Sequence, residues 1–320
     1  MSMSTFWKRL GKKAIIVAIV LIGITLLSFC LSYLSPSDPA KMMLDKKGAP
    51  YTQEMLDALR HQMGLDKSFF EQYFSWLGGM ITGDMGNSLL TGKPVASELF
   101  GYLPNTLIMS FTALALTMVI SVVLGVLCAV YADSVFDYII RVITYFFASF
   151  PNFFLALILL NIFAVRLGWF KVAATMDAKG MVLPVMLLVL TLSAHYIRQV
   201  RAVVLEQMSS EYVVGCHARG VPFRRILFRH VLKNSWVPII TLVGISFGGM
   251  LGGSAIVETI FTWQGIGKYA LTAIQGLDYT VIQVYVVWMA VIFMAVNLMT
   301  DLVCTLLNPQ IYKTGKREGA

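Results

Sequence analysis

Along this chain the hydrophobic residues gather into six runs without Lys, Arg, Asp or Glu, at 14–34, 103–132, 142–165, 180–197, 235–257 and 279–300. A helix crosses the hydrocarbon of a bilayer in about 20 residues, so each run predicts one transmembrane helix. In lipid the backbone polar groups must be satisfied within the segment, which makes the helix the natural element for such runs. The pattern therefore predicts an all-α polytopic membrane protein of six spans. The fourth run is the shortest and holds Pro184 and His195. Pro151 falls inside the third, where its ring and missing N–H predict a kink in one continuous helix.

The polar stretches organise the rest. They are an N-terminal segment 1–13, a connection 35–102 after the first span, and a tail 308–320; between them a five-helix core, 103–307, contains the connection 198–234. In 35–102, Met55, Leu56, Leu59 and Met63 recur at helical spacing and predict a helix over 52–63. Ser68 with Glu71 three residues on is a capping-box pattern, and it opens a segment carrying Phe69, Phe70, Tyr73, Phe74 and Trp76. Such an aromatic amphipathic helix either lies along the membrane surface or packs on the spans. The glycine-rich stretch 78–92 then returns the chain to the membrane. Periodicity leaves open whether this connection only caps helix ends or touches substrate or a partner.

In 198–234, Ser209 or Ser210 is placed to cap a short helix whose first turn holds Glu211. Gly220 ends that helix and Pro222 cannot extend it. A second, basic helix follows, with Ile226, Leu227, His230 and Leu232 among Arg224, Arg225, Arg229 and Lys233. Two short helices joined by a glycine elbow make a compact knob. A basic amphipathic loop resting on anionic lipid is the other reading of these residues.

Composition sharpens the membrane assignment. Only 13% of the 320 residues are charged and 58% are hydrophobic, against about a quarter charged in soluble domains. The net charge of +8 is a matter of placement. With the N-terminus in the cytoplasm, fifteen basic residues face six acidic ones inside, and ten face eleven outside. The positive-inside rule then puts both termini in the cytoplasm, and the basic surplus reads as a topology signal rather than a nucleic-acid surface. The first run is too long for a signal peptide and lacks a clear cleavage site, so it predicts a retained helix. Cys30, Cys128, Cys216 and Cys304 form no CxxC pair, and His61, His195, His217 and His230 form no ligand cluster. No catalytic residue, metal site or cofactor is indicated.

The connection 198–234 also carries a family resemblance. Glu211-Tyr-Val with Ala218-x-Gly220, then Ile226, His230, Leu232, Asn234 and Pro238, resemble the coupling motif of ABC-importer permeases, closest to the dipeptide/oligopeptide/nickel branch. The likeness runs through nearly the whole chain: Asp38-Pro-Ala40, Met63-Gly-Leu-Asp-Lys67, Gly83-Asp84-Met-Gly86-x-Ser88, and Thr259-Ile-Phe-Thr-Trp-Gln-Gly265-Ile-Gly267. Asp278-Tyr279, Asn297, Asp301-Leu302 and Asn308-Pro309 also match. Cys216 stands where the motif usually has Ala, and Gln264 where it usually has Pro.

The resemblance implies a type I ABC importer permease in a bacterial inner membrane. Its partners would be a second homologous permease subunit, two ATP-binding subunits and an extracytoplasmic solute-binding protein, with lipid around the spans. Glu211, Tyr212, Ala218 and Gly220 would form the knob that seats in an ATPase groove, with Glu211 and Arg224 or Arg225 as charged anchors and Gly220 permitting the bend. ATP hydrolysis would belong to the partner subunits; here Gly265-Ile-Gly267-Lys268 continues into Tyr269 and is no phosphate loop. An ion-coupled secondary transporter would call for ionisable residues within the spans, whereas Glu258 and Asp301 read at span ends. A membrane-embedded enzyme would need clustered His, Asp or Cys. For substrate, the runs 50–55 and 252–258 look nearer the nickel-type members, which puts nickel or a nickel chelate first and di- or oligopeptides second. Gly244, Gly248, Gly249, Gly252 and Gly253 suit close helix–helix approach.

Overall fold

The computed structural model describes residues 3–35, 38–48 and 50–307; the expected tail 308–320, with Asn308 and Pro309, lies outside them. In chain order the helices are α1 (Met3–Tyr33), α2 (Pro39–Lys47), α3 (Gln53–Gln62), α4 (Phe69–Thr82), α5 (Val95–Val130), α6 (Val135–Ser149), α7 (Asn152–Leu159), α8 (Ala178–Met208), α9 (Glu211–Ala218), α10 (Phe223–Ile226), α11 (Leu232–Ile260), α12 (Ile266–Gln275) and α13 (Tyr279–Leu307). π-helical turns follow α7 (Leu160–Arg166) and α10 (Leu227–Val231). Among the described residues no strand forms, and the fold is all-α. Among the described residues five helical stretches are long and apolar enough to span a membrane; α6 with α7 and its π turn supply a sixth if counted as one.

The third run departs from expectation. It begins at Val135 rather than 142, and instead of a kink the chain breaks, with the two halves bent by 100°. Phe150, ahead of the proline, takes an extended conformation (φ −91°, ψ 138°), and Pro151 becomes the N-cap of α7. The proline ring disfavours the helical region for the residue before it, and here the first helix stops at that residue. Other helices overrun their apolar cores: α1 starts at Met3, α5 at Val95, and α8 continues to Met208 through Pro184. Hydropathy reports the length that lipid can solvate; backbone hydrogen bonding carries on into polar turns.

Two compact units can be described separately. One comprises Met1–Asn105 with Gly265–Met294. Here α4 packs on α1, which decides between the two readings of the aromatic helix: Phe29 lies 5.5 Å from Tyr73 and 5.6 Å from Trp76, and Thr25 Oγ1 is 3.0 Å from the Tyr73 hydroxyl. Glu71 closes the expected capping box by accepting from the Ser68 backbone N–H (3.0 Å) and hydroxyl (2.8 Å). The sequence reading missed α2, which Asp38 caps by accepting from the Ala40 N–H. A second anchor is Asp278, fully buried before α13. It accepts from the Ser88 hydroxyl (2.6 Å), the Leu90 N–H (3.1 Å) and the Val281 N–H (3.2 Å), and so pins the glycine-rich return to the start of α13.

The other unit comprises Thr106–Gln264 with Ala295–Ala320. Its central helix is α8: 56% of its apolar window is buried within the chain, against 17% for α1, whose apolar side chains are left for lipid or partners. Of the glycines near the fifth span, Gly244 makes a close approach, against Thr300 of α13, while Gly249, Gly252 and Gly253 have open space where a Cβ would stand.

Candidate functional site

The connection 198–234 folds into the expected elbow, with one change. After α8, Ser210 provides the N-cap of α9, but its hydroxyl turns back to the Glu206 carbonyl (3.1 Å) instead of capping the new helix. At the other end Gly220 adopts φ 72°, its N–H reaches the His217 carbonyl (2.9 Å), and the Val221 N–H reaches the Cys216 carbonyl (3.1 Å). That pair of bonds is a Schellman turn, which satisfies carbonyls the helix end would orphan and favours glycine at the left-handed position. Pro222 then caps α10. The second helix is not a separate short element. A five-residue π turn joins α10 to α11, so the basic stretch is the leading end of the fifth span.

Packing fixes the elbow from beneath. Val213 of α9 and Ile226, Leu227 and Val231 beyond the elbow are buried in one cluster with Ala129 of α5, Val200 and Val204 of α8, and Ile239 of α11. Tyr212 is half-buried on this cluster and donates its hydroxyl to Gln207 Oε1 (3.0 Å). The other residues singled out by sequence face outward: Glu211, Ala218, Gly220, Arg224 and Arg225 are all exposed. Among the described residues, Glu211, Arg224 and Arg225 have no ion-pair partner. Charges left unpaired on a rigid, compact projection suit a complementary surface.

Sequence reasoning missed the apolar part of this surface. Val214 is 64% exposed on α9, and Phe223 is exposed with its ring stacked near that of His217 (6.4 Å between centroids). The signal was available: Val213 and Val214 are adjacent, and a helix can bury only one of two neighbours on a given face.

Below the knob lies a second missed feature. Asp137, in the first turn of α6, is fully buried and held by Arg201 of α8 in a two-point fork, Nε to Oδ1 at 2.8 Å and a terminal nitrogen to Oδ2 at 2.7 Å. The Asp133 N–H also donates to Oδ2 (3.1 Å). One turn beyond Arg201's level, Arg198 lies 4.9 Å over the Tyr145 ring. Near the far end of α11, Glu258 stands at the span end where the sequence placed it, fully buried, and accepts from Thr106 (2.7 Å) and Ser254 (3.2 Å).

In the first unit a cleft of about 900 Å³ is lined by residues of α1, α3, α4 and the start of α13. Within it, Arg60 donates from two nitrogens to Asp38 Oδ2 (2.8 and 2.6 Å) and from a third to Asp57, while His61 meets Asp66. Burial on its own pushes the Asp38 carboxyl up, yet hydrogen bonds from Arg60 and the Lys41 and Ala40 N–H groups outweigh it and hold it below the usual carboxylate range. Among the described residues no group of three or more His, Cys, Asp or Glu is placed to hold a metal ion.

Known proteins match at both ends. Residues 121–313 match the family described as "Binding-protein-dependent transport system inner membrane component", and residues 6–110 match its N-terminal companion, "Binding-prot-dependent transport system membrane comp, N-term". The chain is 33% identical to the oligopeptide transport system permease protein AppB of Bacillus subtilis, over 91% of this chain and 95% of that one. It is likewise 33% identical to the dipeptide transport system permease protein DppB of Alkalihalophilus pseudofirmus, with the same coverage. The probable D,D-dipeptide transport system permease protein DdpB of Escherichia coli is 29% identical over 97% of this chain and 99% of its own. Among solved structures, a chain of the inward-facing MetNI methionine ABC transporter shares the fold, with a TM-score of 0.56 at 18% identity over 66% of this chain and 96% of that one.

Proposed function

The chain belongs to the family of binding-protein-dependent transport system inner membrane components, and on that premise we propose that it is one permease subunit of an ABC importer for di- or oligopeptides. The observation that carries the mechanical half of this reading is the α9 elbow. An eight-residue helix, locked at one end by the Gly220 turn and seated on a buried apolar cluster, leaves Glu211, Arg224 and Arg225 exposed and without ion-pair partners among the described residues. A force applied to such a projection moves the helices beneath it instead of bending a loop. In this reading an ATP-binding subunit receives Val214 and Phe223 in an apolar groove and pairs with Glu211 and the two arginines. Tyr212 and Ala218 hold the shape of the knob, and Gly220 sets its bend. Two ATP-binding subunits, a second permease subunit and a solute-binding protein complete the machine. Both termini and the elbow face the cytoplasm, as the distribution of Lys and Arg favours.

Peptide replaces nickel as the first choice of substrate. The preference for nickel rested on the short runs 50–55 and 252–258, whereas relatives matching over nine-tenths of the chain are named for dipeptide and oligopeptide transport. The test is uptake in a strain lacking this chain, with and without the gene restored. Radiolabelled dipeptide uptake should return with the gene and radiolabelled nickel uptake should not. Restoration of nickel uptake alone would reverse the assignment.

A further inference from the structure

We propose that Asp137 is a shared anchor that passes from Arg201 to Arg141 as α6 and α8 shift against each other during transport, and that Arg141 is the positioning residue this exchange requires. The inference rests on the transport reading above and reaches past the elbow to how its motion is carried into the spans.

Asp137 has no contact with solvent. An isolated carboxylate in such a place is strongly unfavourable, and removing one partner of a buried pair leaves an uncompensated charge. In this structure Arg201 meets both carboxylate oxygens, an arrangement that tolerates little displacement because both bonds need the guanidinium plane in register. Arg201 stands on the helix that runs directly into α9, so anything that moves the knob moves Arg201 too. With that arginine as its one hydrogen-bonded cation, Asp137 would resist all such movement or be stranded without a counter-charge by it.

Arg141 removes this conflict. It sits one turn after Asp137 on α6, and therefore travels with the carboxylate wherever α8 goes. Its Nε is 3.5 Å from Asp137 Oδ2, too far for a hydrogen bond, and that buried nitrogen has no other acceptor among the described residues. Closing the gap takes less than about 1 Å. Its remaining charge contact, with Asp133 at 3.9 Å, involves a carboxylate that is 89% exposed and therefore contributes little. A buried donor without a partner is a cost in the state seen here. It ceases to be one in a state where Arg201 has withdrawn and Arg141 has closed on Asp137. The carboxylate thus stays compensated at both ends of the movement, and α8 gains two stable positions against α6 rather than one.

The experiment uses the assembled importer in proteoliposomes, with Arg141→Gln and Arg141→Lys compared with wild type. If Asp137 changes partner, Arg141→Gln assembles and hydrolyses ATP at the basal rate but loses substrate uptake by at least about tenfold, since one state now strands a buried carboxylate. Arg141→Lys keeps the charge and restores uptake to within about threefold. A fixed structural pair predicts otherwise, because Arg201 already satisfies both oxygens. Normal uptake by Arg141→Gln overturns the exchange, and so does loss of assembly together with uptake in both variants. Failure of the peptide reading is distinguishable, because it appears as absent peptide uptake in the wild-type importer itself.

Discussion

Gly125 of α5 stands against Val200 of α8 so closely that a Cβ on the glycine would lie 2.7 Å from the Val200 Cβ and 2.9 Å from the Ile197 carbonyl oxygen. Real side chains do not approach to that distance, so the two helices touch through the absence of a side chain. Val200 belongs to the buried cluster beneath the elbow, which makes this contact part of the knob's foundation. Gly125→Val should destabilise the folded protein by about 1–3 kcal/mol, the usual effect of overpacking a filled interior. Thermal unfolding of the detergent-solubilised protein checks this; an unchanged midpoint would show that α5 can move away freely.

The conformation of Gly220 makes a separate prediction. At φ 72° a β-branched residue is strained, while asparagine tolerates the left-handed region. Gly220→Val should leave membrane insertion intact and abolish uptake, with Gly220→Asn retaining a substantial part. Equal uptake by the two variants would separate the turn from function.

Asp278→Ala should free the segment that Asp278 holds. Removal of the carboxylate leaves the Ser88 hydroxyl and the Leu90 and Val281 N–H groups without this acceptor, at a cost of about 1–3 kcal/mol for each group that stays buried. Cleavage of the 83–94 segment by added protease should accelerate relative to wild type, with Asp278→Asn in between.

Acid should loosen α2 from α3 before it affects the spans. The Asp38 carboxyl is lowered in the folded state, so the stability it contributes is fully present above its unfolded value of about 3.9 and is lost as pH falls through the lower folded value. Pepsin cleavage within 38–64 should rise steeply below about pH 4 in the wild type. In Asp38→Asn that pH dependence should be reduced, with cleavage already raised at the upper end of the range.

Orientation is open to direct measurement. In a cysteine-free background, a membrane-impermeant thiol reagent added to intact spheroplasts should label Glu54→Cys and spare Arg225→Cys, both positions being exposed on the protein. The reverse pattern would invert the topology and place the elbow away from ATP.

How far the chain could be read follows from the range of each interaction. Charge-free runs, the capping box at Ser68 and Glu71, and the glycine elbow before Pro222 depend on residues within a turn or two of one another, and those signals survive in the linear order. The bend at Pro151 was visible as a position but not as an angle, because the neighbouring helices decide whether a proline kinks a helix or ends it. The fusion of α10 with α11, the approach of Gly125 to Val200, and the pairing of Asp137 with Arg201 were invisible. The last two depend on how helices far apart in sequence dock, and 64 residues separate Asp137 from Arg201. Lipid solvation selects which segments become helices from their composition alone. Which buried charge meets which is settled only when those helices pack, since a carboxylate excluded from water takes whatever partner the packed bundle brings within reach.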